Sequence, residues 1–214
     1  MFAKHYAKYY ELFNQDKPYK KEIGFVYKWA ENPRRILDIG CGTAHYWDYY
    51  PDGAVVVGIE KSKDMMSRSR NQGVIFQRDI QKGEFFGKDF DLVTALFDVV
   101  NYLPNLRCFK TIPVKKGGYF IFDLWDKEKV DREGFKETFK TIDGATRTIK
   151  PLSYDGRKVE LEINIDDKGL KFTEVHQMYV YTHKEIELFC GTDFDIAEVK
   201  KTKSWQIWYK LRKK

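Results

Sequence analysis

The chain has 214 residues, with 38 Lys and Arg against 32 Asp and Glu, for a formal net charge of +6. That length can bury one good core, so a single domain is expected over 1–214. No apolar run approaches a membrane span, and Cys41, Cys108 and Cys190 are too few and too far apart for a disulfide framework or a zinc site.

His5, His45, His176 and His183 are equally scattered, so no metal site is expected. The N-terminus lacks a signal-peptide profile, and the expected location is cytoplasmic.

Residues 1–31 read as a helical lead. Phe2 to Phe13 carries Tyr6, Tyr9 and Tyr10, and Tyr19 to Ala30 puts Ile23, Val26, Tyr27 and Ala30 on one stripe. Asp16-Lys17-Pro18 separates the two segments.

Arg34-Arg35-Ile36-Leu37-Asp38-Ile39-Gly40-Cys41-Gly42-Thr43-Ala44 then reads as a short buried strand ending in an acid and a glycine-rich turn. Apolar residues before the acid suit a central parallel strand covered on both faces. Glycines directly after it let the chain turn sharply and let a ligand approach the backbone. A glycine loop feeding a helix offers free N–H groups, and Asp38 adds a carboxylate at the strand's carboxyl end. The pairing suits a ligand carrying both an ammonium and hydrogen-bond acceptors. The dinucleotide fingerprint G-x-G-x-x-G/A also sits between strand and helix. Gly40 and Gly42 fit it, but His45 holds its third position, which argues against a nicotinamide-dependent oxidoreductase.

Ala54-Val55-Val56-Val57-Gly58-Ile59 is a second apolar strand ending at Glu60. An acid about 20 residues past such glycines can accept two hydrogen bonds from a ribose diol, which indicates an adenosine ligand. Ser62 is a plausible N-cap for a helix from Lys63 to Arg70, with Met65 and Met66 inward. Val74-Ile75-Phe76-Gln77 makes a third strand, followed by Arg78 and Asp79. Asp91 to Phe97 makes a fourth, leading into Asp98-Val99-Val100-Asn101-Tyr102-Leu103. Pro104 and Pro113 leave room only for a stunted helix before Lys115, beside a more open surface. Gly117-Gly118 then turns the chain into a fifth strand, Tyr119-Phe120-Ile121-Phe122-Asp123.

Asp38-Ile39-Gly40-Cys41-Gly42-Thr43 resembles the first motif of class I S-adenosylmethionine-dependent methyltransferases, and the resemblance runs on through residues 34–125. It implies an α/β fold, a doubly wound, mostly parallel seven-stranded sheet, with S-adenosyl-L-methionine as cofactor. By that resemblance Asp38 and Gly40 hold the methionine end and Glu60 the ribose. Asp79 meets the adenine amino group and Ile80 lies against the ring. Cys41, Gly42, Lys61, Met65 and Phe97 complete the implied cofactor site, with 97–103 beside the reactive methyl. A different reading makes Asp79 a solvated loop acid. The family usually has glycine where Ala44 stands, and alanine narrows the space near the methionine moiety. The D/N-P-P-aromatic signature of nucleic-acid amino methyltransferases is missing, and 97–103 looks like the matching stretch of small-molecule methyltransferases.

Residues 126–181 change character, alternating apolar and polar residues over Lys136–Lys150 and Arg157–Ile165. Turn signals stand at Asp143-Gly144, Asp155-Gly156 and Lys168-Gly169, and Phe172 to Tyr181 follows. An antiparallel β ribbon inserted after the fifth strand is expected. The organisation resembles N-methyltransferases acting on deoxyamino sugar nucleotides and glycine N-methyltransferase-like enzymes, where such a ribbon borders the substrate or builds a homodimer. By resemblance His176 faces the substrate; the other reading is a satisfied structural histidine. In 182–214, Thr182-His183-Lys184-Glu185 is a capping box opening a helix with Ile186, Phe189 and Cys190. Phe194–Val199 and Ser204–Leu211 supply the last two strands, an antiparallel hairpin in the family.

Basic residues gather in Lys200-Lys201-Thr202-Lys203 and Lys210-Leu211-Arg212-Lys213-Lys214, and the pI is near 9.0. Such a patch attracts nucleic acid or an anionic acceptor; alternatively it is a solvated strand edge kept soluble by lysines. The expected activity is methyl transfer to an amine or hydroxyl of a small molecule, with an amino sugar or sugar nucleotide as one acceptor class. Asp98, Tyr10 and His176, in that order, are the candidates for taking a proton from an amine, and His176 moves first for a hydroxyl. Two alternatives stay open: a nucleic-acid or protein methyltransferase, and a non-catalytic partner protein that binds cofactor. The missing signature and the lack of an appended binding domain count against the first.

Overall fold

A computed structural model describes residues 4–71 and 74–214. Helices α1 (Lys4–Asn14) and α2 (Tyr19–Trp29) precede β1 (Arg35–Ile39), β2 (Val55–Glu60), the short α3 (Lys63–Met66), β3 (Ile75–Gln77), β4 (Phe90–Ala95) and β5 (Val114–Trp125). Then come α4 (Lys127–Glu133), β6 (Thr138–Ile142), β7 (Ala145–Tyr154), β8 (Lys158–Asp167) and β9 (Leu170–Tyr179). The chain ends with α5 (His183–Cys190), β10 (Phe194–Lys201) and β11 (Gln206–Lys213). The helix start expected at Phe2 lies outside the described residues.

Seven strands form one sheet in the order β10-β11-β5-β4-β1-β2-β3. It is parallel from β5 to β3, while β11 runs antiparallel to both neighbours. This is the doubly wound, mostly parallel α/β sheet expected. Its strands are apolar on both faces because both faces are covered. On one side Ile23 and Val26 of α2 pack over Ile36, Leu92, Ile121 and Trp208. On the other, Leu37, Val93, Phe120 and Phe122 lie under Leu103, Phe109 and Ile186. Each such side chain, taken fully out of water, stabilises the fold by ~1.5–3 kcal/mol. Strand order reverses between β1 and β4, and that reversal opens a crevice at their carboxyl ends.

The ribbon is a separate antiparallel sheet, β6-β7-β8-β9. Asp143-Gly144 and Lys168-Gly169 carry positive φ at both residues (52° and 84°, 53° and 90°), which matches the twist of the flanking strands. α1 packs its apolar side on this sheet, with Tyr6, Tyr9 and Phe13 against Ala145, Ile163 and Ile165. The Tyr9 hydroxyl also donates to Asp167 at 2.5 Å. The capping box at α5 is formed: Thr182 Oγ1 accepts the Glu185 N–H at 3.1 Å and the Glu185 carboxylate accepts the Thr182 N–H at 2.8 Å.

Three local expectations differ. The helix expected to reach Arg70 stops at Met66, since Ser67 Oγ turns back to the Asp64 carbonyl at 2.9 Å and the next N–H groups bond three residues back. The helix expected after the glycine turn is only a 3-10 turn, His45–Tyr49, in which bulky rings and the coming Pro51 leave no room for a longer run. Its turn N–H groups are not free either: those of Gly40 and Cys41 donate to the Ile59 carbonyl at 2.8 and 3.2 Å. Between Leu103 and Lys115 the expected stunted helix is present, as a 3-10 turn at Arg107–Thr111. No described helix is long and apolar enough to cross a membrane.

Candidate functional site

The glycine turn is built by contacts that only glycine permits. Gly40 and Gly42 take left-handed φ of 64° and 59°. A Cβ on Gly40 would lie 2.8 Å from Val99 Cγ1, and one on Gly42 would lie 3.2 Å from Met65 Cε. The turn is therefore pressed between α3 and the 3-10 turn Val99–Tyr102 that follows β4. Ala44 also has a left-handed φ, 61°, at the position where a third glycine was expected. Glu60 fastens the turn, since its carboxylate accepts the N–H of Gly42 at 3.0 Å and of Ser62 at 2.7 Å. Burial raises the Glu60 carboxyl above its ordinary value, and those N–H bonds oppose the rise.

Between this turn and β9 lies a cleft of about 450 Å³, inside the ~300–1,000 Å³ usual for small-molecule sites. Gly40, Gly42, Glu60, Lys61 and Met65 line one wall. Asp79 and Ile80 line the adenine end expected from sequence, where Asp79 pairs with Lys61 at 2.8 Å and accepts the Gln81 N–H at 3.1 Å. Tyr10 and Phe97 line the other end.

A narrow pocket of about 20 Å³ continues the cleft past Tyr10 and Phe97 to Asp38, Cys41 and Thr43. Asp38 is 3 % exposed and accepts the Trp47 indole N–H and the Thr94 hydroxyl, both at 2.8 Å. Burial pushes its carboxyl up to about 6, against the pull of those two donors. Thr43 Oγ1 is buried with no hydrogen-bond partner among the described residues. A buried carboxylate and an unmatched hydroxyl in one pocket, at the end of a cleft with the acid Glu60 in its wall, fit an amino-acid head on an adenosine. The group that the glycine motif implies is thus matched by the donor set.

Just past β4, Phe97 and Asp98 are consecutive left-handed residues, φ 66° and 64°. Asp123, fully buried on β5, accepts their N–H groups at 2.7 and 3.2 Å and also the Gln206 amide at 2.8 Å. Burial, and then the neighbouring Asp123 charge, hold the Asp98 carboxyl well above the usual carboxylate range. Asp98 is half-buried and lines neither cavity. Lys17, from the link between α1 and α2, pairs with Glu22 at 2.8 Å and sits 4.3 Å from the Phe97 ring centre.

Tyr10 lines both cavities. His176 lies elsewhere: it is 1 % exposed, on the α1-facing side of β9, and lines neither cavity. Its Nδ1 is 2.8 Å from the Tyr102 hydroxyl, and Tyr102 does line the cleft. Sequence reasoning missed Tyr102 as a site residue, and also Val175, Gln177 and Tyr179, which face the cleft from the opposite side of β9. Period-two alternation along that strand was the available signal for the last three.

A family profile described as a methyltransferase domain matches residues 9–140. A curated protein of Geobacillus sp. (strain WCH70), named as a candidate methyltransferase, is 29% identical over 203 residues, covering 82% of this chain and 81% of its own. Two solved structures share the fold. An S-adenosylmethionine-dependent methyltransferase from Clostridium acetobutylicum ATCC 824 has a TM-score of 0.79 at 23% identity, over 98% of this chain and 97% of its own. The S-adenosylmethionine-bound amino pentose methyltransferase of calicheamicin biosynthesis from Micromonospora echinaspora has a TM-score of 0.78 at 19% identity, over 100% of this chain and 98% of its own. With the switch-point cleft and the Asp38–Gly42 turn at its base, the chain belongs to the methyltransferase-domain family, as a class I S-adenosylmethionine-dependent methyltransferase.

Proposed function

We propose that the protein methylates an amine of a small molecule, with an amino sugar or its nucleotide as the acceptor class. One observation carries the reading. Tyr10 of α1 and the β9 residues Val175, Gln177 and Tyr179 roof the cleft, leaving room for a cofactor and a small acceptor but none for a nucleic-acid duplex. The likeness to an amino pentose methyltransferase supports the same class.

The C-terminal lysines count against a nucleic-acid footprint. Lys200, Lys201, Lys213 and Lys214 pair with Glu198, Asp126, Asp193 and Asp195 at 3.1–3.3 Å. They are the solvated, internally paired edge of a sheet rather than a free basic stripe.

When bound, S-adenosylmethionine supplies a methyl group on a sulfonium, a strong electrophile with a neutral leaving group. Asp38 and Thr43 would hold the methionine head and Glu60 the ribose, while Asp79 and Ile80 receive the adenine. Holding both reactants in line and excluding water supplies most of the rate. The Asp98–Asp123 pair gives the acceptor end a negative potential that draws in an ammonium and stabilises the cation formed on attack. Tyr10 closes the site over the reacting atoms.

Calorimetric titration with S-adenosylmethionine and S-adenosylhomocysteine, with NAD as control, tests the cofactor assignment, and methylation of an amine panel beginning with amino sugars tests the acceptor. Binding near ~10 μM, about −7 kcal/mol, is expected for both sulfur ligands and none for NAD. Turnover confined to nucleic acid would sink the small-molecule reading. We also propose a homodimer through the ribbon, supported by the free edge strand β6 and its exposed Phe139. A monomeric mass by light scattering would dismiss it.

A further inference from the structure

We infer that His45, together with the Thr43 hydroxyl, receives the α-carboxylate of S-adenosylmethionine, so that the two charges of the methionine head are read by different groups. This rests on the assignment of the narrow pocket to that head.

The head is a zwitterion, and Asp38 answers only its ammonium. A carboxylate set down in the same pocket of about 20 Å³ meets a like charge there, and repulsion is strong where water is excluded. A glycine turn ahead of a helix commonly meets an anion with its backbone N–H groups. Here most of those groups are spent. The Gly40 and Cys41 N–H groups donate to the Ile59 carbonyl at 2.8 and 3.2 Å, and that of Ala44 donates to the Cys41 carbonyl at 2.8 Å. The Gly42 N–H donates to the Glu60 carboxylate at 3.0 Å. Lys17, 4.3 Å from the centre of the Phe97 ring, is committed to Glu22 at 2.8 Å. Glu22 also takes the hydroxyl of Tyr46, another residue of the pocket wall.

His45 and Thr43 meet the need. Among the described residues that line the pocket, His45 is the one with a basic side chain. It follows the left-handed Ala44 (φ 61°) and opens the 3-10 turn, at the position where the dinucleotide fingerprint fails. Two tyrosines fix its ring edge-on, with centroids 4.5 Å away for Tyr19 and 5.8 Å for Tyr49, each at 71°. The two tyrosine rings are themselves parallel, 6.2 Å apart. A ring held this way gives up little freedom on binding, and an imidazole offers an N–H in either tautomer. Thr43 is 5 % exposed, and its Oγ1 has no hydrogen-bond partner among the described residues. A buried hydroxyl without a partner costs stability in the unliganded protein, and a carboxylate oxygen in the pocket removes that cost.

With opposite charges met on separate groups, the pocket selects the intact amino-acid head. An adenosine carrying only the ammonium forfeits the His45 and Thr43 bonds and keeps the one to Asp38. Loss of a hydrogen bond to a charged group lowers affinity on the order of 10–100-fold.

The test titrates the full chain with S-adenosylhomocysteine and with decarboxylated S-adenosylhomocysteine, which keeps the adenosine and the ammonium. Wild-type protein should bind the first about 10–100-fold more tightly. His45→Phe keeps a ring between Tyr19 and Tyr49. It should erase most of that preference while leaving the decarboxylated ligand within about twofold of its wild-type affinity. An unchanged preference in His45→Phe overturns the inference. Thr43→Val should weaken S-adenosylhomocysteine alone and raise the Tm of the unliganded protein, because the unpartnered hydroxyl is gone; unchanged affinity overturns the Thr43 contact. Histidine ¹⁵N spectra of wild-type protein give an answer that no variant's folding can disturb. The His45 ring resonances should shift on saturation with S-adenosylhomocysteine and stay in place with the decarboxylated ligand; identical spectra for the two overturn the inference. Wild-type protein that binds neither ligand overturns the cofactor assignment itself, an outcome distinct from binding both alike.

Discussion

Trp47 Nε1 donates to Asp38 Oδ2 at 2.8 Å, so a ring from the 3-10 turn holds the carboxylate in the narrow pocket that we propose takes the methionine head. Asp38 rises to about 6 because it is buried, and the Trp47 and Thr94 donors hold it from rising further. A protonated Asp38 cannot pair with an ammonium. Cofactor affinity should be flat above about pH 6 and fall by up to tenfold per unit below it. Trp47→Phe should move that break to higher pH, and calorimetry across pH 5 to 8 reads both. Affinity that ignores pH would remove Asp38 from the binding site. The unliganded protein should show the opposite trend in stability. The folded value of about 6 lies above the ordinary 3.8, so the burial cost of ~3 kcal/mol is full above about 6 and fades as pH falls towards 3.8.

Gly58 pairs with Asp38 across β1 and β2, and an added Cβ would lie 2.6 Å from Cys41 Sγ and 2.7 Å from Trp47 Cζ2. Gly58→Ala should therefore overpack the base of the turn, costing ~1–3 kcal/mol, or roughly 2–4 °C of Tm per kcal/mol for a chain of this size. It should weaken cofactor binding as well, by displacing Trp47 from Asp38. Gly24, in α2, has nothing within 4 Å of the same added atom. Gly24→Ala should raise stability by ~0.5–1 kcal/mol, since glycine is a poor helix former. Thermal denaturation of the pair separates crowding from backbone entropy; equal shifts would refute both accounts.

Glu60 spends an oxygen on each of two backbone N–H groups, Gly42 at 3.0 Å and Ser62 at 2.7 Å. Glutamine has one acceptor oxygen, and its amide nitrogen would face a donor. Glu60→Gln should leave one N–H unsatisfied, at ~1–3 kcal/mol, and weaken S-adenosylmethionine by ~10–100-fold, about 1.4–2.7 kcal/mol. Unchanged binding would show that the ribose is held elsewhere.

Half-buried Asp98 is raised by burial and then by the charge of the fully buried Asp123 beside it. Asp98→Asn should stabilise the unliganded protein at pH 8 by removing one of the two charges, with little effect at pH 5, where Asp98 is already neutral. Its acceptor KM should rise about tenfold (~1.4 kcal/mol) with the loss of the negative potential. Denaturant titrations at the two pH values check the first half, and steady-state kinetics check the second.

What was legible in the sequence was local. Ile36-Leu37-Asp38 reads as a doubly covered strand because both faces are apolar, and the Thr182–Glu185 box reads as a helix start because its partners lie within one turn. The positions of Glu60 and Asp79 were legible for the same reason, since both stand at strand ends at fixed spacing, and both line the cleft. The far side of the cleft was not. Tyr102 and His176 are 74 residues apart and meet only when the second sheet folds over the first. Nor does Phe97-Asp98 advertise its left-handed backbone, because no glycine marks it and the carboxylate that holds it arrives with Asp123 on β5. The short turn at His45–Tyr49 was misread as a longer helix, although Pro51 already forces Tyr50 into an extended conformation and stops it.

Because α1 leans on β7 and β8 and not on the central sheet, the cover over the cleft is assembled from the chain's first residues and its late insertion. Tyr10 and Gln177 ride on the same body, joined to the rest near residues 15–18, 134–137 and 180–182. That cover is in turn pinned from below, because the Asn101 amide donates to the Tyr179 carbonyl at 2.7 Å, so a change in the length of the late insertion alters the ceiling above residues 97–103 without touching the glycine turn.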